Sequence, residues 1–296
     1  MAMVLLRILE SRFQADVWTQ ALEQEGIPYL LRTYEDTAYD GLWTTQKGYG
    51  ALLVEEEWLG LAREIDRQLI LQVPGEHSAG SVLAGMIEHT LLRPDATFED
   101  LREHIAECLE LGMAGVCVLP WMVPIAVREL EGSGRIVCSV VDFPLGGAGT
   151  QMRLSQAKQL ADAGVDELDV VISRWLVASG RLGEAVEEMR RIAEAVEDVE
   201  VKVILETPTL APETARALAV MLKDTGVGYL KTATGFFGPT TPEQVSLLRE
   251  AVGRTMGIKA AGGIRTLAQA VEMVQAGADR LGTSSGADIV REAYQR

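Results

Sequence analysis

Two lysines pose the first chemical question in this sequence of 296 residues. Lys231 and Lys259 stand 28 positions apart (259 − 231), each near the end of a short apolar run. If those runs are successive strands of one parallel sheet, the two lysines occupy neighbouring strands, ~4.8 Å apart. Two ammonium groups so placed in an apolar enclosure repel each other and lose hydration, and both effects lower an amine pKa. A lysine that is neutral near physiological pH can attack a carbonyl carbon and form a Schiff base. Asp169, two strands before Lys231, is placed to supply the proton transfers that such chemistry needs. Lys202 and Glu206 share one face of the intervening strand with Ile204. Read structurally instead, the same five charges form an internal salt-bridge network, with Glu206 paired to Lys202 or another interior cation.

Glycines and hydroxyls beside the lysines favour the chemical reading. They fall in three clusters, Thr232-Ala-Thr234-Gly235, Gly262-Gly263-Ile264-Arg265 and Gly282-Thr283-Ser284-Ser285-Gly286, each following an apolar run. Glycine permits close backbone approach to a ligand, and a helix N-terminus carrying hydroxyls is suited to phosphate. Thr234, Gly235, Gly262, Gly263, Ser284 and Ser285 are therefore candidates for binding a phosphorylated substrate. Ordinary helix capping is the plainer use of the same residue types.

These residues need a scaffold that brings strand ends together. From residue 85 onward, apolar runs alternate with segments of 3.6-residue periodicity such as Leu154–Ala163 and Leu182–Ala195. The expected strands are Met86–His89, Gly115–Leu119, Ile136–Val141, Glu167–Ile172, Val201–Glu206, Gly228–Lys231, Gly257–Ala260 and Arg280–Gly282. Near-continuous apolar strands imply a parallel sheet covered on both faces. Eight βα units without a hairpin signal predict an α/β fold, a (β/α)8 TIM barrel, over 85–296, with chemistry at the carboxyl ends of its strands. A doubly wound sheet fits less well, because no G-x-G-x-x-G follows the first strand. Residues 1–72 read as a separate small α+β domain, ferredoxin-like in its βαββα order, and the breaker-rich stretch 73–84 as a linker.

Composition narrows the function. With 27 Lys and Arg against 43 Asp and Glu, the net charge of −16 leaves no basic surface for nucleic acid. A phosphate can still be held locally by backbone N–H groups. Cys108, Cys117 and Cys138 form no CxxC pair, so neither a disulfide framework nor a metal cluster is expected. Cys117 reads as a core thiol facing the barrel, open to aldehyde adducts. Leu111 to Val127 carries no charge, but two glycines and two prolines make it a strand and helix start rather than a membrane span. Charges at Arg7, Glu10, Arg12 and Asp16 argue against a secretory leader and for a cytoplasmic protein. His89 reads as a backbone anchor, His77 and His104 as linker and helix surface, and the tryptophans, Trp43 included, as packing residues.

The segment from Met86 to Val290 resembles the deoxyribose-phosphate aldolase family. The matching motifs are Ile87-Glu-His-Thr-Leu-Leu-Arg-Pro94, Val116-Cys-Val118, Phe143-Pro-Leu-Gly146, Asp166-Glu-Leu-Asp-Val-Val-Ile172, Val201-Lys-Val-Ile-Leu-Glu-Thr207, Lys231-Thr-Ala-Thr-Gly-Phe236, Lys259-Ala-Ala-Gly-Gly263 and Gly282-Thr-Ser-Ser-Gly286. The resemblance implies a lyase that uses no cofactor or metal. It would cleave 2-deoxy-D-ribose 5-phosphate to glyceraldehyde 3-phosphate and acetaldehyde. It makes Lys231 the Schiff-base lysine, Lys259 the partner that lowers its pKa and Asp169 the proton donor and acceptor. Gly262, Gly263, Ser284 and Ser285 would hold the phosphate, Glu88 and Thr90 would lie near the sugar, and Lys202, Glu206 and Cys117 would support the site. The chain departs from the family pattern at Glu88, where Asp is usual, at Asp142, where Gly is usual, and at Ser173-Arg174, where Asn is common. A barrel with altered aldehyde or sugar-phosphate substrate, or one kept for binding and regulation, is the alternative. The first ~70 residues are similar to a small bacterial domain linked to signal transduction. The expected partner is a small sugar phosphate, with no nucleic acid and no membrane, and a homo-oligomer is compatible with the sequence.

Overall fold

The computed structural model describes residues 3–9, 12–33, 50–70 and 79–295. The chain divides into two compact units, Met1–Pro74 and Gly75–Arg296. Trp43, His77 and residues 73–78 of the expected linker lie outside the described residues.

In the first unit, strands β1 (Met3–Leu9), β2 (Tyr29–Thr33) and β3 (Gly50–Glu55) form an antiparallel sheet in the order β1-β3-β2. Helices Arg12–Gln24 and Leu59–Ile70 complete a βαββα sequence of elements. The unit has its own core, in which Leu9, Trp18, Leu22, Ile27, Leu52 and Val54 are buried. Trp18 Nε1 donates to Asp66 Oδ1 at 2.6 Å, and Arg7 Nη1 donates to the same oxygen at 2.8 Å. This satisfies the indole N–H within an otherwise apolar core.

The second unit is a closed parallel barrel of eight strands: β4 (Ile87–Leu91), β5 (Gly115–Val118), β6 (Ile136–Val141), β7 (Glu167–Val171), β8 (Glu200–Ile204), β9 (Tyr229–Lys231), β10 (Gly257–Ala261) and β11 (Arg280–Thr283). Sequence neighbours pair throughout, and β11 closes on β4. Helices follow the strands, several started by reciprocal caps at Thr97/Asp100, Thr241/Gln244 and Thr266/Gln269. Each cap satisfies two N–H groups that have no partner within the helix.

Residues 79–84, expected as linker, instead form a helix, with Leu83 and Ala84 buried. It packs against the terminal helix Gly286–Tyr294, where a Cβ on Gly80 would meet the Tyr294 ring at 2.7 Å. The uncharged stretch from 111 to 127 is divided between β5 and the start of helix Val123–Leu130. Among the described residues no helix is long and apolar enough to cross a membrane.

Close approach of strands makes one glycine indispensable. A Cβ on Gly115 would lie 2.1 Å from the Ile136 carbonyl oxygen, the register partner on β6. Gly115→Ala must push two core strands apart and is expected to cost about 3 kcal/mol. A lower denaturant midpoint for the barrel transition would register that loss, and wild-type stability would show that the strands can separate freely.

Candidate active site

Strand alternation turns six charged side chains inward, namely Glu88 from β4, Glu167 and Asp169 from β7, Lys202 from β8, Lys231 from β9 and Lys259 from β10. All six are buried. Lys231 and Lys259 are register partners on adjacent strands, as are Asp169 and Lys202. Charges stripped of water survive only when paired, and this cluster pairs every member. Asp169 Oδ2 accepts hydrogen bonds from Lys231 Nζ at 2.7 Å and Lys259 Nζ at 2.6 Å. Lys259 also donates to Glu88, and Lys202 donates to Glu167. Lys202 Nζ lies 3.4 Å from Glu88 Oε1 and 3.5 Å from Asp169 Oδ1.

Burial alone would push the Asp169 carboxyl up, but Lys231, Lys259 and Lys202 outweigh it and hold the group well below the usual carboxylate range. Lys259 departs from the sequence expectation of a lowered ammonium. Burial does drive it down, yet Asp169 and Glu88 reverse the sign and raise it well above an ordinary lysine. Proximity to Lys231 predicted repulsion, but two carboxylates from strands further round the barrel decide the charge state. Burial raises the Glu167 carboxyl. Sequence reasoning missed this residue, although it stands two positions before Asp169 and so shares its face.

Above the cluster lies a cavity of about 620 Å³ at the carboxyl ends of the strands. Among the six buried charges only Lys231 lines it. The wall also contains Thr90, Thr234, Gly235, Gly262, Gly263 and Ser284, gathering most of the residues singled out from sequence. Arg93, Phe143, Phe236 and Arg265 join them. The Phe143 ring lies 5.8 Å from Lys231 Nζ and meets Phe236 edge-on at 5.5 Å.

Several expected positions are corrected. Glu88 does not reach the cavity wall, because it points into the barrel at the depth of Lys259. Gly282 makes room there, since a Cβ on it would touch Lys259 Cε at 2.9 Å. Glu206 does not pair with Lys202. Its backbone is left-handed (φ 60°), which takes it out of the strand alternation, and its carboxylate accepts from Thr234 N (3.2 Å) and Thr234 Oγ1 (2.6 Å). Ser285 lies beside the wall, its N–H donating to Thr283 Oγ1 at 3.0 Å. Cys117 is beneath the cavity, fully buried, with its Sγ 3.7 Å from Asp169 Oδ2, so no open route leads an aldehyde to it. His104, expected on a helix surface, is buried in a stack on His89 with ring centres 3.6 Å apart. His89 Nε2 lies 3.1 Å from Glu107 Oε2. Trp121 and Trp175, expected as packing residues, are 93% and 65% exposed.

Residues 84–296 match the model of the DeoC/LacD family aldolases. A deoxyribose-phosphate aldolase of Dictyoglomus turgidum is 39% identical over 210 residues, 70% of this chain and 95% of that protein. One from Thermotoga petrophila is 41% identical over 225 residues, 75% and 91% of the two chains. Among solved structures, an aldolase called QR15 superposes with a TM-score of 0.69 at 34% identity, covering 72% of this chain and 96% of its own. The deoxyribose phosphate aldolase of Aeropyrum pernix, described as a unique tetramer, gives 0.70 at 32% identity, covering 77% and 96%.

Burial lowers the His104 imidazole from 6.5 to about 4, so the folded barrel takes up that proton less readily than the unfolded chain. The associated stability is fully present above the unfolded value and is lost as pH falls from 6.5 towards 4. The slope approaches roughly 1.4 kcal/mol per pH unit within that window. Denaturation of wild type and His104→Gln at a series of pH values should show a flatter acid limb in the variant. Identical limbs would assign the effect to another group.

Proposed function

Because the chain belongs to the DeoC/LacD family of aldolases, we infer that it is a class I aldolase that reversibly cleaves 2-deoxy-D-ribose 5-phosphate to D-glyceraldehyde 3-phosphate and acetaldehyde. One observation carries the assignment of the amine. Of six buried charged groups only Lys231 opens onto the cavity, and it shares Asp169 Oδ2 with Lys259.

In this reading the neutral Lys231 Nζ attacks the aldehyde carbon of the open-chain sugar, giving a carbinolamine that loses water to form an iminium ion. The C3 hydroxyl then gives up its proton. The C2–C3 bond breaks with its electron pair drawn towards the iminium nitrogen, and glyceraldehyde 3-phosphate departs. The remaining enamine takes a proton at carbon, and hydrolysis releases acetaldehyde and regenerates the lysine. Asp169 is held ionised, touches Lys231, and serves through a water as the proton acceptor and donor for these steps. Three carboxylates, Glu88, Glu167 and Asp169, face the three lysines of the interior, so the proton that Lys231 gives up has carboxylates at hand to receive it.

Gly262, Gly263 and Ser284 are our choice for the phosphate site. Both glycines have left-handed backbones (φ 100° and 80°) of the kind that turn successive N–H groups towards an anion, and Arg265 shares the cavity wall. The acid at position 88 is engaged with Lys259 and does not line the cavity in which we place the sugar. A homo-oligomer belongs to the same reading, supported by the tetrameric relative and the exposed indoles of Trp121 and Trp175.

Borohydride added with substrate should reduce an imine and mark Lys231 by peptide mass. Lys231→Arg should abolish both the adduct and the release of glyceraldehyde 3-phosphate in a coupled assay. Turnover without a trapped adduct would remove the Schiff base, and no turnover on several aldehydes would remove the aldolase assignment.

A further inference from the structure

Among the described residues other than glycine, Asp142 and Glu206 have left-handed backbones, with φ of 52° and 60°. Such conformations persist where surrounding contacts over-determine them. Asp142 has no part in the aldol chemistry above, yet its polar groups are closely engaged. Its N–H donates to Gln156 Oε1 at 3.0 Å, and its carbonyl accepts from Gly146 N at 2.9 Å. Its Oδ2 accepts from Ala148 N and Arg153 Nε, both at 2.8 Å, and Arg153 Nη2 lies 2.7 Å away. Arg153 is completely buried and donates through Nη1 to Glu188 Oε2 at 2.7 Å, while Glu188 Oε1 accepts from Thr150 Oγ1 at 2.7 Å. A buried arginine fixed at both ends is a rigid strut. Here it ties the loop after β6 to helices Thr150–Asp162 and Leu182–Ala195.

The residue next to Asp142 is Phe143, whose ring lies 5.8 Å from Lys231 Nζ. An aromatic face within about 6 Å of a cation attracts it through the ring quadrupole. In the aldolase reading, the iminium ion carries its charge at that same nitrogen. We propose that Asp142 is a positioning residue, which through its contacts with Arg153 and Ala148 holds the Phe143 ring over Lys231 to stabilise the iminium intermediate. The inference rests on the Schiff-base assignment and adds a specific route by which the β6 loop controls it. The ring also packs on the buried Cys117–Cys138–Val140 cluster and meets Phe236, so a change in the direction of the chain at Asp142 displaces it from a defined seat.

A double-mutant cycle on the rate of borohydride trapping with acetaldehyde tests this. Asp142→Asn and Phe143→Leu should each slow trapping about tenfold, within the range that small misplacements cost. The double variant should be no slower than Phe143→Leu alone, and both single variants should shift the pH profile of trapping alike. Asp142→Gly suits the left-handed backbone but lacks the carboxylate. It should show the same loss with an undiminished unfolding midpoint, separating lost positioning from lost folding. Multiplicative losses in the double variant, or wild-type trapping in both Asp142 variants, overturn the positioning role. A wild-type protein that forms no adduct with acetaldehyde or with deoxyribose phosphate defeats the Schiff-base assignment itself, and this inference with it.

Discussion

Asp169 accepts hydrogen bonds from two lysines through one oxygen, inside a barrel closed to water. In such a place neither an isolated carboxylate nor an isolated ammonium is tolerable. The barrel can hold Lys231 at the floor of its cavity only because the charges around it are balanced. Lys259 stays cationic between Asp169 and Glu88, and Lys202 closes the far side against Glu167 and Glu88. Asp169 stays anionic because three ammonium groups surround it. The strand register, the room left at Gly282 and the close strand contact at Gly115 all serve to bring these groups within hydrogen-bond reach.

The rim is built on a different principle. At the floor, rigidity comes from paired charges in the sheet interior. At the mouth, it comes from carboxylates that hold loops. Glu206, after β8, binds the backbone and hydroxyl of Thr234, and Asp142, after β6, binds Arg153 and Ala148. Both have left-handed backbones, and both control residues that flank Lys231. Glycine positions complete the rim where backbone must approach a ligand, as at Gly262 and Gly263.

The departures from the family pattern divide on the same basis. Glu88 reaches Lys259 and belongs to the floor, where charge balance is conserved by either acid. Asp142 belongs to the rim, where its carboxylate ties the turn to Arg153 and Ala148. Arg174 lies over the Phe237 ring at 3.9 Å, outside the cavity wall, so it does not touch the space where a sugar would sit. The first unit buries its own apolar core and accounts for its own fold.

Much of the barrel and half of its chemistry are legible in the residues. Continuous apolar runs separated by helical periodicity specify eight parallel strands, because a strand covered on both faces has no polar side to show. One βα repeat between Lys231 and Lys259 places them on adjacent strands, since the crossover length leaves little alternative. Alternation further specifies that Asp169, Lys202 and Lys231 point inward. Depth and direction at the strand ends are another matter. Period-two alternation gives a face without giving a height, so Glu88 was expected at the sugar and lies below it. A single left-handed residue reverses the projection, so Glu206 left Lys202 for Thr234. Periodicity shows a helix's apolar stripe but not a buried polar partner, so the stacking of His104 on His89 was invisible. The sequence by itself determined which groups share the barrel. The tertiary structure decided which of them is charged and which meets the cavity, because both depend on carboxylates and backbone turns contributed from distant strands.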